Sequence, residues 1–352
     1  MEKNLLNGKE HNKINKNSNI KNSKLILNKP KIKNKKVVND SYSCSFLDNI
    51  FTSFKSIDNI FYLIYSNKSK SIISYNIIDN KKINEIKNAH NNYITNFRSY
   101  FDKKNKRDLI LSISDKDNNI KLWNVNIWTC LINITNVNKE GYLNSACFLH
   151  DDSNNLFIIT SNFYYISSES IKVYDLDGKK IKEMNESNEK VIFMESYYDD
   201  NFSKSYIIIS THEYVKSYDY NNNALYHKYN DNIKRLHFSL IIKKYEEVIK
   251  LIESCYDDNL RIWNFHSGEL LQKIKVGVGG LQSICFFNND DLIVSNNKKI
   301  KMVNLTNRFI TDLIKTDKNI VSVKIVYFQN EEYIIFQGQE NNLINIYNIK
   351  IS

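Results

Sequence analysis

The sequence predicts an all-β fold built from seven copies of one four-stranded antiparallel unit. Three observations carry this. A short alternating segment ending in an aromatic–Asx pair recurs along the chain. The copies are evenly spaced. A polar turn with a short polar strand follows most copies, and an apolar strand precedes several of them.

The clearest copy is Ser112-Ile-Ser-Asp-Lys-Asp-Asn-Asn-Ile-Lys-Leu-Trp-Asn124, and a second is Ser254-Cys-Tyr-Asp-Asp-Asn-Leu-Arg-Ile-Trp-Asn264. Each reads as strand, polar turn, then a strand with the two-residue alternation of a pleated sheet. Weaker copies end at Tyr75-Asn76, Tyr174-Asp175, Tyr218-Asp219, Val303-Asn304 and Tyr347-Asn348. The penultimate residues are 48, 51, 44, 45, 40 and 44 positions apart. Turns and short outer strands follow, as in Asp79–Ile86, Asp177–Met184 and His266–Ile274. Gly178 and Gly268 suit turn positions that need positive φ. Apolar residues at spacing three then two, such as Leu143/Ala146/Phe148 and Leu281/Ile284/Phe286, mark the inner strands.

Seven units of this length and ending resemble the WD40 family of β-propellers. The resemblance implies a seven-bladed propeller of four-stranded antiparallel blades over residues 37–352. Asn replaces the terminal Asp in five units and Tyr replaces Trp in four. The last unit reaches Ser352 without an outer strand. The segment 37–46 is therefore expected to complete that blade and close the ring, which would remove exposed sheet edges. By the same resemblance His90, Asp117 and Trp123, with Ser112 or Ser114, would form a buried hydrogen-bond chain bracing one blade. Asp257 and Trp263 are the matching pair of another unit, which has no matching histidine.

Residues 1–36 stand apart. The first 40 residues hold eleven lysines against three acids, most of the chain's net charge of +10, and no aromatic residue. Such a segment cannot offset the entropy of ordering, and a disordered basic arm is expected there. Lysine without interleaved aromatics or arginine gives no sign of base stacking.

The remaining chemistry is sparse. No apolar run approaches the length of a membrane span. Residues 1–10 have no apolar core, so no secretion signal is expected. Five widely spaced cysteines without a Cys-x-x-Cys pattern point to reduced thiols and a cytoplasmic or nuclear location. The histidines lack metal-ligand spacing. Gly277-Val-Gly-Gly280 opens no helix and reads as a blade-to-blade turn rather than a phosphate cradle. No Gly-x-Ser-x-Gly elbow supports a His–Asp–Ser nucleophile. No cofactor, metal or enzymatic activity is expected.

The resulting expectation is a non-catalytic interaction scaffold, a monomer within a larger complex. The alternative is an RNA- or ribosome-associated propeller using the lysine-rich arm. Two other propeller roles lack their marks: no Arg-Arg pair supports lipid binding, and no arginine follows the aromatic–Asx pairs as in ubiquitin-ligase receptors. The expected docking face is the channel mouth where chains enter the inner strands. It comprises Asn49, Phe51, Tyr93, Thr95, Tyr142, Asn144, Lys190, Ile192, Asn232, Lys234, Gly280, Gln282, Asn319 and Val321. Aromatics ringed by amides suit a protein or peptide, and the two lysines suit an acidic or phosphorylated one.

Overall fold

The computed structural model describes residues 31–38, 50–114, 116–135, 142–153, 155–163, 171–184, 191–211, 213–231, 237–245, 247–277, 280–328, 331–338 and 343–350. They form seven four-stranded antiparallel sheets. Six are consecutive in sequence: blade 1 spans 51–86, blade 2 spans 96–134, blade 3 spans 142–184, blade 4 spans 193–229, blade 5 spans 237–275 and blade 6 spans 281–315. Blade 7 combines Ile320–Phe328, Glu331–Gly338 and Ile344–Lys350 with the N-terminal strand Lys31–Val38. Each blade's first strand touches that of the next, and the first strand of blade 7 touches that of blade 1. The ring is closed, and the fold is a seven-bladed β-propeller.

The core is divided among the gaps between blades. Seven apolar clusters each join two consecutive blades, from Tyr62, Ile64 and Ile72 against Phe97, Ile110 and Trp123 round to Val321, Ile335 and Ile346 against Phe51, Leu63 and Ile73. Second strands are covered on both faces and read as nearly continuous apolar runs, as in Phe61–Ser66, where every residue is buried. Outer strands face solvent and alternate, with Ile132 and Ile134 buried between exposed neighbours in Thr129–Ile134.

The Asx ending each third strand has a local task. Asn264 Oδ1 accepts the backbone N–H groups of His266 (3.0 Å) and Ser267 (3.1 Å), and Asp175 Oδ1 accepts those of Asp177 (3.0 Å) and Lys179 (2.8 Å). Asn76, Asn124, Asp219 and Asn304 do the same. The turn needs a side-chain acceptor oxygen, not a charge, so Asn serves in place of Asp.

One boundary differs from the sequence expectation. Ring closure is made by Lys31–Val38, with Lys31 opposite Lys350 and Val38 opposite Ile344, so of the expected segment 37–46 only Val37 and Val38 lie in the closing strand and 39–46 fall outside the described residues. Residues 31–36 therefore belong to the propeller and not to the basic arm. The physical reason is that an outer strand is solvated. Lys-Ile-Lys-Asn-Lys-Lys-Val-Val is composed like the outer strands Lys81–Ile86 and Lys180–Met184, so its charge does not disqualify it. Residues 1–30 and 39–49 lie outside the described residues.

Candidate functional site

Of the expected docking mouth, some residues lie outside the described ones and others are buried. Asn49, Lys190, Asn232 and Lys234 lie outside the described residues, as do the side chains of Tyr142 and Asn144. Phe51 is fully buried between blades 7 and 1, where Val321 joins it, and Ile192 is buried just ahead of the first strand of blade 4. Thr95 is also buried, its N–H donating to the Ile113 carbonyl at 2.8 Å. Gly280 is a turn residue at φ +81°, its N–H donating to Asp258 Oδ1 at 2.5 Å. These positions are corrected from docking residues to packing or turn residues. Successive strand side chains point to opposite faces, and an inner strand is covered on both faces by neighbouring blades. Tyr93 and Gln282 are half-buried, and Asn319 is exposed.

Outside the outer strands, the exposed large apolar side chains gather at the opposite end. There each blade turns from its first to its second strand and from its third to its outer strand. Ile57, Ile127, Phe202, Val248, Phe309 and Tyr327 all lie on or beside these turns, with Ile127 65% and Phe202 60% exposed. Among the described residues, Tyr256 is the only large exposed apolar side chain in the turns at the other end.

The channel between these ends holds a cavity of about 460 Å³, lined by first-strand residues of blades 1, 2, 3, 4 and 7. Arg98 is anchored across its wall. Its Nη1 donates to Glu195 Oε2 at 3.0 Å, Nη2 to the Met194 carbonyl at 2.8 Å and Nε to the Ala146 carbonyl at 3.3 Å. Its guanidinium lies 4.7 Å from the Phe193 ring centre. One side chain thus ties blades 2, 3 and 4 together. His150, also in the lining, has its pKa lowered by burial.

The bracing chain expected in blade 2 is present in part. Trp123 Nε1 donates to Ser112 Oγ at 2.8 Å, and that oxygen lies 2.8 Å from His90 Nε2. Burial, reinforced by Lys121, pushes the His90 pKa down to about 3. With the imidazole neutral, Ser112 Oγ accepts from tryptophan and shares a hydrogen bond with His90 Nε2. Asp117 does not complete the chain: His90 Nδ1 is buried without a partner, and Asp117 Oδ2 accepts the Asn92 N–H at 2.7 Å. The carboxylate holds the loop that carries the histidine rather than the ring itself.

Blade 5 is braced differently. Trp263 Nε1 and Ser254 Oγ are buried without hydrogen-bond partners. The fully buried Arg261 instead donates to Asp257 through Nη1 (3.0 Å) and Nη2 (2.6 Å) and to Asp231 through Nε (2.8 Å). Glu253 Oε1 lies 3.8 Å from Nε, and Lys273 donates to Asp231 at 2.9 Å. Burial opposes ionisation of Asp257, but the Arg261 and Asn259 hydrogen bonds prevail and hold its carboxyl well below the usual range.

Sequence reasoning missed both Arg98 and Arg261. A signal existed: only five of the 49 basic residues are arginine. Arginine's planar fork suits buried multi-partner pairing better than lysine's point charge. In so lysine-rich a chain, Arg98 and Arg261 stand out on that ground.

No protein-family model matches the chain, and no curated protein shows significant similarity to it. The class of protein is defined by the fold alone: a seven-bladed β-propeller. Among the described residues, no helix is long and apolar enough to cross a membrane.

Proposed function

We propose that the protein is a WD40-type, non-catalytic interaction platform that holds other proteins in a complex. The docking face is the end bearing Ile57, Ile127, Phe202, Val248 and Phe309. The observation that carries this reading is the contrast between the two ends of a closed ring, one bearing these exposed apolar side chains and the other, among the described residues, only Tyr256. Apolar anchors on a rigid scaffold suit protein interfaces, where a few large side chains supply most of the energy. The WD40 assignment is supported by the aromatic–Asx repeat, its turn-capping role and the Trp123–Ser112–His90 chain.

The test is affinity purification of the tagged full chain beside Phe202→Ser and Ile127→Ser. Loss of co-purifying proteins at unchanged melting temperature supports the reading. Retention of every partner by both variants defeats it. Recovery of RNA that is lost when residues 1–30 are deleted would instead favour nucleic-acid attachment through the lysine-rich arm.

A further inference from the structure

The outer strand of each blade ends its sheet and leaves half its backbone hydrogen-bonding groups unpaired. Such edges template pairing with another chain unless something blocks it, and lysine on the edge is a common block. Six of the seven outer strands carry lysine: Lys31–Val38, Lys81–Ile86, Lys180–Met184, Ala224–Tyr229, Leu270–Lys275 and Ile310–Lys315. The seventh, Thr129-Cys-Leu-Ile-Asn-Ile134 of blade 2, carries no charge. Every outer-strand pairing contains a bulge, so the bulge does not distinguish this edge; the missing lysine does.

The surroundings of this edge are apolar as well. Leu131 on the strand is 38% exposed, and Ile127 in the turn leading into it is 65% exposed. That turn is fastened to blade 1, where Asn126 Nδ2 donates to Asp58 Oδ2 at 3.2 Å, which brings Ile127 to the same corner as the exposed Ile57.

We propose that the edge Thr129–Ile134 is a self-association site, where a second copy of this chain pairs antiparallel about a twofold axis. The choice of occupant rests on charge. A twofold axis sets an edge against a second copy of itself, so a lysine-bearing edge would gather the lysines of both copies along one seam. Thr129–Ile134 meets only Thr, Cys, Leu, Ile and Asn and is compatible with itself. The same axis doubles the apolar contribution of Leu131 and Ile127. This departs from the monomer expected from sequence and does not rest on the proposed scaffold role.

Sedimentation velocity of the full chain in reducing buffer, which keeps the exposed Cys130 from forming a covalent link, is the test. A reversible species of twice the monomer mass is expected to grow with concentration up to roughly 100 μM, and Leu131→Lys and Asn133→Lys should each weaken association about tenfold or more. Leu271→Lys, on the already lysine-bearing outer strand of blade 5, should leave it unchanged. Both edge variants place lysine at exposed positions, and an unchanged melting curve checks their fold. Amide exchange supplies an independent readout: protection at Thr129–Ile134 should rise with concentration, while the other outer strands stay as they are. A monomer throughout the range overturns the proposal, as does association insensitive to both edge variants. A monomer that binds an uncharged strand from another protein at this edge overturns it equally.

Discussion

Blades 2 and 5 carry the two closest copies of the repeat, ending in Trp123-Asn124 and Trp263-Asn264, yet they are braced by opposite chemistries. The strand registers show why. Opposite Lys121 in blade 2 sits Ser112; opposite Arg261 in blade 5, two residues before the tryptophan as Lys121 is, sits Glu253. The structural counterpart of Ser112 is therefore Glu253 and not Ser254, which the sequence motif aligns with it. A hydroxyl at this position relays a neutral chain from tryptophan to histidine. A carboxylate there, fully buried, requires a cation, and Arg261 with Asp231 and Asp257 forms the network around it. Tryptophan then loses its partner. One changed side chain on a middle strand converts a hydrogen-bond brace into an ionic one.

The largest expected effect lies on the ionic side. Arg261→Met would leave Glu253, Asp257 and Asp231 without their shared cation, and removing one partner of a buried network costs about 3–5 kcal/mol. A urea melt that moves by less than about 1 kcal/mol would show the carboxylates to be adequately solvated and the contrast between the blades overdrawn.

Next is the neutral chain. Ser112→Ala strands both Trp123 Nε1 and His90 Nε2 in the core and should cost about 2–3 kcal/mol. Ser254→Ala, at the position the motif equates with it, removes a hydroxyl that has no partner and should change stability by no more than about 0.5 kcal/mol. Equal losses in the two variants would restore the sequence alignment over the structural one.

The blades also differ in their response to acid. The folded-state His90 pKa of about 3 lies below its ordinary 6.5, so protons bind preferentially to the unfolded chain. Stability from this group is complete above pH 6.5 and is lost as pH falls toward 3, with a slope of up to about 1.4 kcal/mol per pH unit. His90→Gln should flatten that part of the stability–pH curve, measured by denaturant melts at several pH values. An unchanged slope would mean that the imidazole is already solvated in the native state.

A smaller effect separates the turns beyond the two tryptophans. The same left-handed position is held by Trp128 at φ 52° in blade 2 and Gly268 at φ 70° in blade 5. Trp128 is retained by packing edge-on to Tyr62, with ring centres 5.9 Å apart. Gly268→Ala has no such compensation, and its Cβ would meet His227 Nδ1 at 3.3 Å. A loss of about 1–2 kcal/mol in thermal or urea melts is expected. A neutral result would show the turn free to change conformation.

Much of the fold was legible because its signals are local. The aromatic–Asx pair is readable since Asn264 and Asp175 cap turns only two to four residues ahead, and no distant partner decides that. The alternation of third strands and the polarity of outer strands follow from one covered and one solvated environment within a single repeat. Of the candidate site, Ser112 and Trp123 with His90 were readable through the repeat, as was the lack of a matching histidine in blade 5.

What only the tertiary structure decided depends on residues far apart in sequence. Phe51, Thr95 and Ile192 alternate as strand residues do, but a neighbouring blade covers each face, and period two alone cannot say so. The end of the propeller that exposes Phe202 and Ile127 emerges only when seven turns are gathered around one axis. Arg98 reaches Glu195 across 97 positions of chain, and Lys31–Val38 pairs with Ile344–Lys350 from the opposite end of the sequence. The sequence by itself determined the repeat, its number and its local turns, because those depend on interactions within a few residues. The closing strand, the ionic brace of blade 5 and the exposed faces were decided by tertiary packing, because burial and charge pairing depend on which distant segments come to lie together.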